Sequence, residues 1–205
     1  MYGLIHEDGN NLEEVIQMEE VCLNYIKEHI ANVQKAYYEF FYNKPIYIDG
    51  IGEDEFRSYI NSIKDAIENH DSSKFTDLEF YAYRREYNPT EYERKQMEND
   101  PDFKALIDEE YNKAWEHHLM NNDHHPKFWK VKDGVYSENN EPKDMTLGAI
   151  IHMICDWEAM SMYYGTNTLD WYLNDAKEEK SDMTEETRKI VEQILRQIHG
   201  DFDKK

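Results

Sequence analysis

The stretch that decides the fold is LGAIIHMICDWEAMSMYY, running from Leu147 to Tyr164. It is the most apolar part of the chain and apolar on nearly every face. A helix of this kind over residues 145–164 has to be enclosed by other elements. Asp156 falls in its middle, with His152 one turn earlier on the same side. A carboxylate placed in the most enclosed helix needs a hydrogen-bond partner or a cation there.

Working outward, residues 11–42 read as a long helix. Apolar residues recur at Val15, Met18, Cys22, Tyr25, Ile26, Val33, Ala36, Tyr37 and Phe40, the 3–4 spacing of a buried stripe, and His29 lies inside that stripe. The segment 43–52 holds a proline and two glycines and reads as a loop. A second helix follows from about Glu53 to His70, with Phe56, Ile60, Ile63, Ile67 and His70 on one face. After the adjacent pair His70-Asp71 the chain turns through Ser72-Ser73-Lys74-Phe75. Thr76-Asp77-Leu78-Glu79 then has the T-x-x-E form of a capping box and opens a helix to about Tyr87.

Pro89 and Pro101 bound a charged stretch that reads as a loop or an exposed helix. Residues 103–120 resume a stripe of Phe103, Ile107, Tyr111, Ala114, Trp115 and His118. Pro126 stops that helix from running through His124-His125. Asp133-Gly134 marks a turn in a polar segment, and helices at about 168–177 and 183–199 close the chain. The expected architecture is all-α, a single helical domain over 1–205. Its core spans about 11–165, with the C-terminal helices at about 168–199.

Composition narrows the function classes. The net charge is −21, from 44 acidic and 23 basic residues. That repels nucleic-acid backbones and anionic membranes, so direct DNA or RNA backbone binding is not expected. An anionic small substrate remains compatible, because a bound cation can reverse the field locally. Cys22 and Cys155 sit in apolar runs without CxxC spacing and read as buried thiols, which suits a reducing cytoplasm. The N-terminal MYGLIHEDGN has neither the basic nor the apolar region of a signal peptide, and no run reaches the ~18 apolar residues of a membrane span.

The chemistry concentrates in histidine and aspartate. His29, His70 and His118 fall on apolar faces of three separate helices, and Asp156 is embedded in a fourth. With Asp71 and the doublet His124-His125 they form a mixed nitrogen and oxygen donor set. Such a set suits a divalent ion such as Mn, Mg, Co, Ni, Fe or Zn, one or two per chain. The stripe turns His118 inward and leaves His117 open between ligand and surface. His124 and His125 are open between ligation, capping a helix end and substrate contact. His152 is open between a ligand's hydrogen-bond partner and a core residue. Asp71, Lys74 and Asp77 are the candidate catalytic groups, and Lys74, Arg84 and Arg85 could meet a phosphate. Glu79 reads as the capping-box partner of Thr76.

These residues resemble the HD-domain metal-dependent phosphohydrolases, whose pattern is a helical His, a His-Asp pair and a late Asp on a central helix. His29, His70, Asp71 and Asp156 match it in turn, and His70-Asp71-Ser72-Ser73-Lys74 is similar to the HDxxK form of several branches. Other segments resemble an uncharacterised family of bacteria and their phages. They are His70 to Phe75, the double-histidine region Trp115 to Trp129, and Ile154 to Trp157, together covering roughly residues 20–165. The HD resemblance implies a helical bundle around a metal site. It also implies hydrolysis of a small phosphorylated substrate, such as a nucleotide, by metal-activated water. The alternative is a non-catalytic acidic interaction protein, phage-encoded and nucleic-acid-mimicking, with a structural or vestigial metal site. Self-association is compatible with either.

Overall fold

The structure, a computed structural model, describes residues 11–200. It is all-α: the described residues form ten α-helices, short 3₁₀ turns and one two-stranded hairpin. In chain order these are α1 (Leu12–Ala36), α2 (Glu53–Ser62), α3 (Lys64–Glu68), α4 (Asp77–Tyr87), α5 (Glu91–Asn99) and α6 (Pro101–Asn121). The hairpin β1 (Val131–Lys132) and β2 (Val135–Tyr136) follows. Then come α7 (Leu147–Tyr164), α8 (Thr168–Asn174), α9 (Lys177–Ser181) and α10 (Glu185–Ile198). None of these helices is long and apolar enough to cross a membrane.

The chain sorts into two compact units, each drawn from separate stretches of sequence. The first takes the residues through Glu28 and Asp71–Asn121, and the second takes His29–His70 and the residues from Asn122 onward. The sequence expectation divides the chain elsewhere, setting the last helices apart from a core over 11–165. The packing instead puts α8 and α10 against α7 in the second unit.

The second unit is built on α7. Ile150, Ile151, Met153, Ile154, Cys155 and Ala159 of this helix are all buried, as its composition requires. Thr146 caps its start by accepting from the Ala149 N–H, and Gly165 ends it with φ 67°, a left-handed conformation that glycine adopts without a Cβ clash. α10 contributes Val191, Ile194 and Leu195 at helical spacing. Where α2 ends, the chain runs so close to α7 that a Cβ on Gly148 would lie 2.8 Å from Ile63 Cγ2. The single helix expected over 53–70 is broken at Ile63, where ψ rises to −1°, so α2 and α3 are separate. The long helix expected over 11–42 is continuous, but its last turn, Tyr37–Tyr42, is π-helical. There the buried Tyr37 donates its hydroxyl to the Ile60 carbonyl at 2.9 Å. Asp133 and Gly134 both have positive φ, the geometry of a tight hairpin turn whose twist matches the paired strands.

In the first unit α4 and α5 pack on α6. The apolar centre is small (Ala82, Tyr83, Ala114 and Tyr111), and a buried ion pair of Arg84 with Glu93 lies in the same unit. The T-x-x-E expected to cap α4 does not form: Thr76 makes no capping bond. Its hydroxyl donates to the Ser73 carbonyl at 2.7 Å. A true capping box forms instead at Thr90 and Glu93, opening α5 in the stretch read as loop or exposed helix.

Candidate metal centre

The second unit gathers five of the polar residues singled out from sequence. His29 comes from the π-ended helix α1, His70 from the turn after α3, His124 from the loop after α6, and His152 and Asp156 from α7. All four imidazoles are buried, and the Asp156 side chain is 15% exposed. The inward placement of His29 and Asp156 follows from the apolar periodicity of their helices. For His70 it follows from the buried Ile67 one turn before it.

Three donor atoms converge. His29 Nε2 lies 3.0 Å from His70 Nε2 and 3.0 Å from Asp156 Oδ1, and His70 Nε2 lies 3.7 Å from the same oxygen. Two ligands bound at about 2.1 Å stand about 3.0 Å apart at a right angle and about 3.4 Å apart at the tetrahedral angle. The observed triangle brackets those edges. The proton inventory agrees with a cation at this point. A single Nε2 hydrogen on His29 can serve either His70 or Asp156 but not both well, whereas three lone pairs aimed at one ion are all used.

The other face of His70 has its own partner. His70 Nδ1 stands 2.8 Å from His152 Nε2, so His152 resolves as a residue that can fix the tautomer of His70. The His124 ring packs against His70 at 4.6 Å and His152 at 4.4 Å between centroids. His125 is partly exposed and stacks on His124 at 4.3 Å. Burial alone would raise the Asp156 carboxyl. The hydrogen bond with His29 and the charges of His29, His70 and His124 overcome this and hold it far below the usual carboxylate range.

The first unit holds a second polar cluster. Asp71 is buried with φ 54°, a left-handed backbone that aspartate tolerates better than most residues. Lys74 Nζ lies 2.6 Å from Asp71 Oδ2, and His118 Nε2 lies 3.4 Å from Asp71 Oδ1. His118 Nδ1 stands 2.9 Å from Glu79 Oε2, while Glu79 Oε1 reaches His117 Nδ1 at 2.6 Å. Ser73 donates its hydroxyl to Glu79 Oε2 at 3.1 Å. Burial would raise Glu79, but these bonds from His118, His117 and Ser73 lower it. The Tyr83 ring lies 5.6 Å from Lys74 Nζ and 6.1 Å from His118. Burial, with the Glu79 charge next, pushes its hydroxyl well above the ordinary range.

Residues 18–197 match the model of a family of unknown function, DUF5662. The chain belongs to the DUF5662 family. No curated protein and no solved structure matches it. The DUF5662 match takes in every residue of both clusters, from His29 to Asp156.

Several expected site residues lie elsewhere. Asp77 is exposed on the first turn of α4. Arg84 is buried and engaged by both carboxylate oxygens of Glu93, and Arg85 meets Glu110 at 2.7 Å. These contacts give both guanidiniums carboxylate partners within their own unit. The residue that sequence reasoning missed is Glu79. Its signal was present: it precedes the buried Ala82 and Tyr83 by three and four residues, which puts an acid on the inward face of α4.

Proposed function

We propose that this chain is a metal-dependent phosphohydrolase, of the type the HD resemblance implies, acting on a small phosphorylated molecule such as a nucleotide. The observation that carries the reading is the triangle of His29 Nε2, His70 Nε2 and Asp156 Oδ1, with edges of 3.0 to 3.7 Å. Three protein ligands leave coordination positions for water, the mark of catalytic rather than structural sites. A divalent ion held there lowers the pKa of a bound water from about 15.7 toward about 7, supplying hydroxide at neutral pH. The chain's own contribution is to hold the donors rigidly. His152 keeps the Nδ1 face of His70 occupied, so its Nε2 lone pair stays directed at the ion. The buried free thiols of Cys22 and Cys155 suit action in a reducing cytoplasm.

The test is a panel of nucleotides and p-nitrophenyl phosphate, assayed with Mn2+, Co2+ and Ni2+. It compares wild type with Asp156→Asn and His29→Ala. Phosphate release that requires metal and falls at least about 100-fold in both variants is expected, since each removes a ligand. Release that is absent from wild type, or equal in the variants, sinks the reading.

A further inference from the structure

His70 belongs to two donor sets at once. Through Nε2 it joins His29 and Asp156. With His124 and His152 it forms a second set, in which one ligand atom from each residue lies within 4.8 Å of the others. All three imidazoles of that set are buried, their centroids 4.4 to 5.0 Å apart. His70 Nδ1 and His152 Nε2, at 2.8 Å, already stand near the separation of two ligands at a right angle on one ion, about 3.0 Å.

The two sets differ in chemistry. His29, His70 and Asp156 supply a carboxylate and suit harder ions such as Mn2+. His70, His124 and His152 supply imidazole alone, which suits Ni2+, Cu2+ and Zn2+. A neutral imidazole has one lone pair, so His70 can serve only one set at a time. Ligating through Nε2, it keeps its proton on Nδ1 and donates to His152; ligating through Nδ1, it turns the proton toward Asp156.

We infer that His70 is a fork between two mutually exclusive metal sites, a carboxylate site for harder ions and an all-histidine site for softer ones. This rests on the metal reading of the His29 set, but the two can fail separately. Harder and softer ions then occupy different positions, and a softer ion shuts the carboxylate site by taking its shared ligand rather than by displacing the harder ion directly.

The experiment titrates Mn2+ and Ni2+ into wild type, Asp156→Asn and His124→Ala, with circular dichroism confirming helix content. Asp156→Asn is expected to weaken Mn2+ at least about tenfold and leave Ni2+ within about threefold; His124→Ala is expected to do the reverse. In wild type, prior loading with Ni2+ is expected to remove one Mn2+ per chain. Pulsed electron paramagnetic resonance of Cu2+ bound to wild type, which needs no variant to fold, is expected to show three coupled imidazoles. Two coupled imidazoles, equal loss of both ions in Asp156→Asn, or Mn2+ uptake unaffected by Ni2+ overturns the fork. If Asp156→Asn leaves Mn2+ binding intact, the underlying carboxylate site fails instead.

Discussion

His118 Nδ1 lies 2.9 Å from a carboxylate oxygen of Glu79, and this contact determines which nitrogen of the ring carries the proton. A carboxylate accepts, so Nδ1 donates and Nε2 keeps its lone pair, facing Asp71 Oδ1 at 3.4 Å. Two acceptors facing each other call for a proton or a cation beside them. Glu79→Gln leaves one accepting oxygen for the two histidines that Glu79 now serves. Long-range nitrogen–proton spectra are expected to show His118 in one tautomer in wild type and in a mixture in the variant. A loss of stability of about 1–3 kcal/mol should accompany the change. An unchanged His118 spectrum in the variant contradicts this account of Glu79.

Asp71 separates backbone from charge. Asparagine also tolerates φ near 54° but cannot pair ionically with Lys74, so Asp71→Asn should melt within about 1 kcal/mol of wild type. Asp71→Val meets the left-handed penalty in full and should lose about 1–3 kcal/mol more. Denaturant melts of the two variants check the difference; equal melts would mean the backbone there relaxes.

Gly148 is held to glycine by the end of α2. Adding the alanine methyl forces it against Ile63 Cγ2, and Gly148→Ala is expected to cost about 1–3 kcal/mol despite alanine's better helix propensity. Ile63→Leu removes the branch methyl. The double variant should therefore recover at least half the loss, a coupling that a double-mutant cycle reads directly.

Glu93 makes the first unit sensitive to acid. Burial would raise its carboxyl, but the bond to Arg84 and the Thr90 N–H lower it below the ordinary 4.5. A carboxylate with a depressed native pKa contributes stability in full above its unfolded value and loses it as pH falls toward the native one. Below about pH 5, wild type should lose stability more steeply than Glu93→Gln. At neutral pH the order reverses, with Glu93→Ala down by about 3–5 kcal/mol because Arg84 stays buried without its partner. Parallel slopes for wild type and Glu93→Gln would remove this pair as the cause.

Much of the fold is legible in the sequence because burial dictates it. The all-round apolarity of α7 marks it as central, and the stripes of α1 and α6 turn His29 and His118 inward. What periodicity cannot convey is which of two equal local signals tertiary contacts will honour. Thr76 to Glu79 and Thr90 to Glu93 are both T-x-x-E, yet only the second closes into a box. Glu79 is drawn instead to His117 and His118, thirty-eight and thirty-nine residues away. The same competition takes Arg84 from a role toward phosphate to one toward Glu93. His124 is undecidable from sequence because a loop has no phase, and only the folded chain brings its ring against His70 and His152.

The π-helical turn at Tyr37–Tyr42 has a meaning in the history of the chain. A π turn accommodates one more residue than an α turn over the same rise, so it behaves as a single inserted residue absorbed without unwinding the helix. Taking one residue out would rewind the segment and rotate everything beyond it by about 100°. Phe41, now fully buried, would swing away from the core with it. Relatives that lack the insertion should therefore compensate within the loop before α2, and the length of that loop becomes a marker of descent.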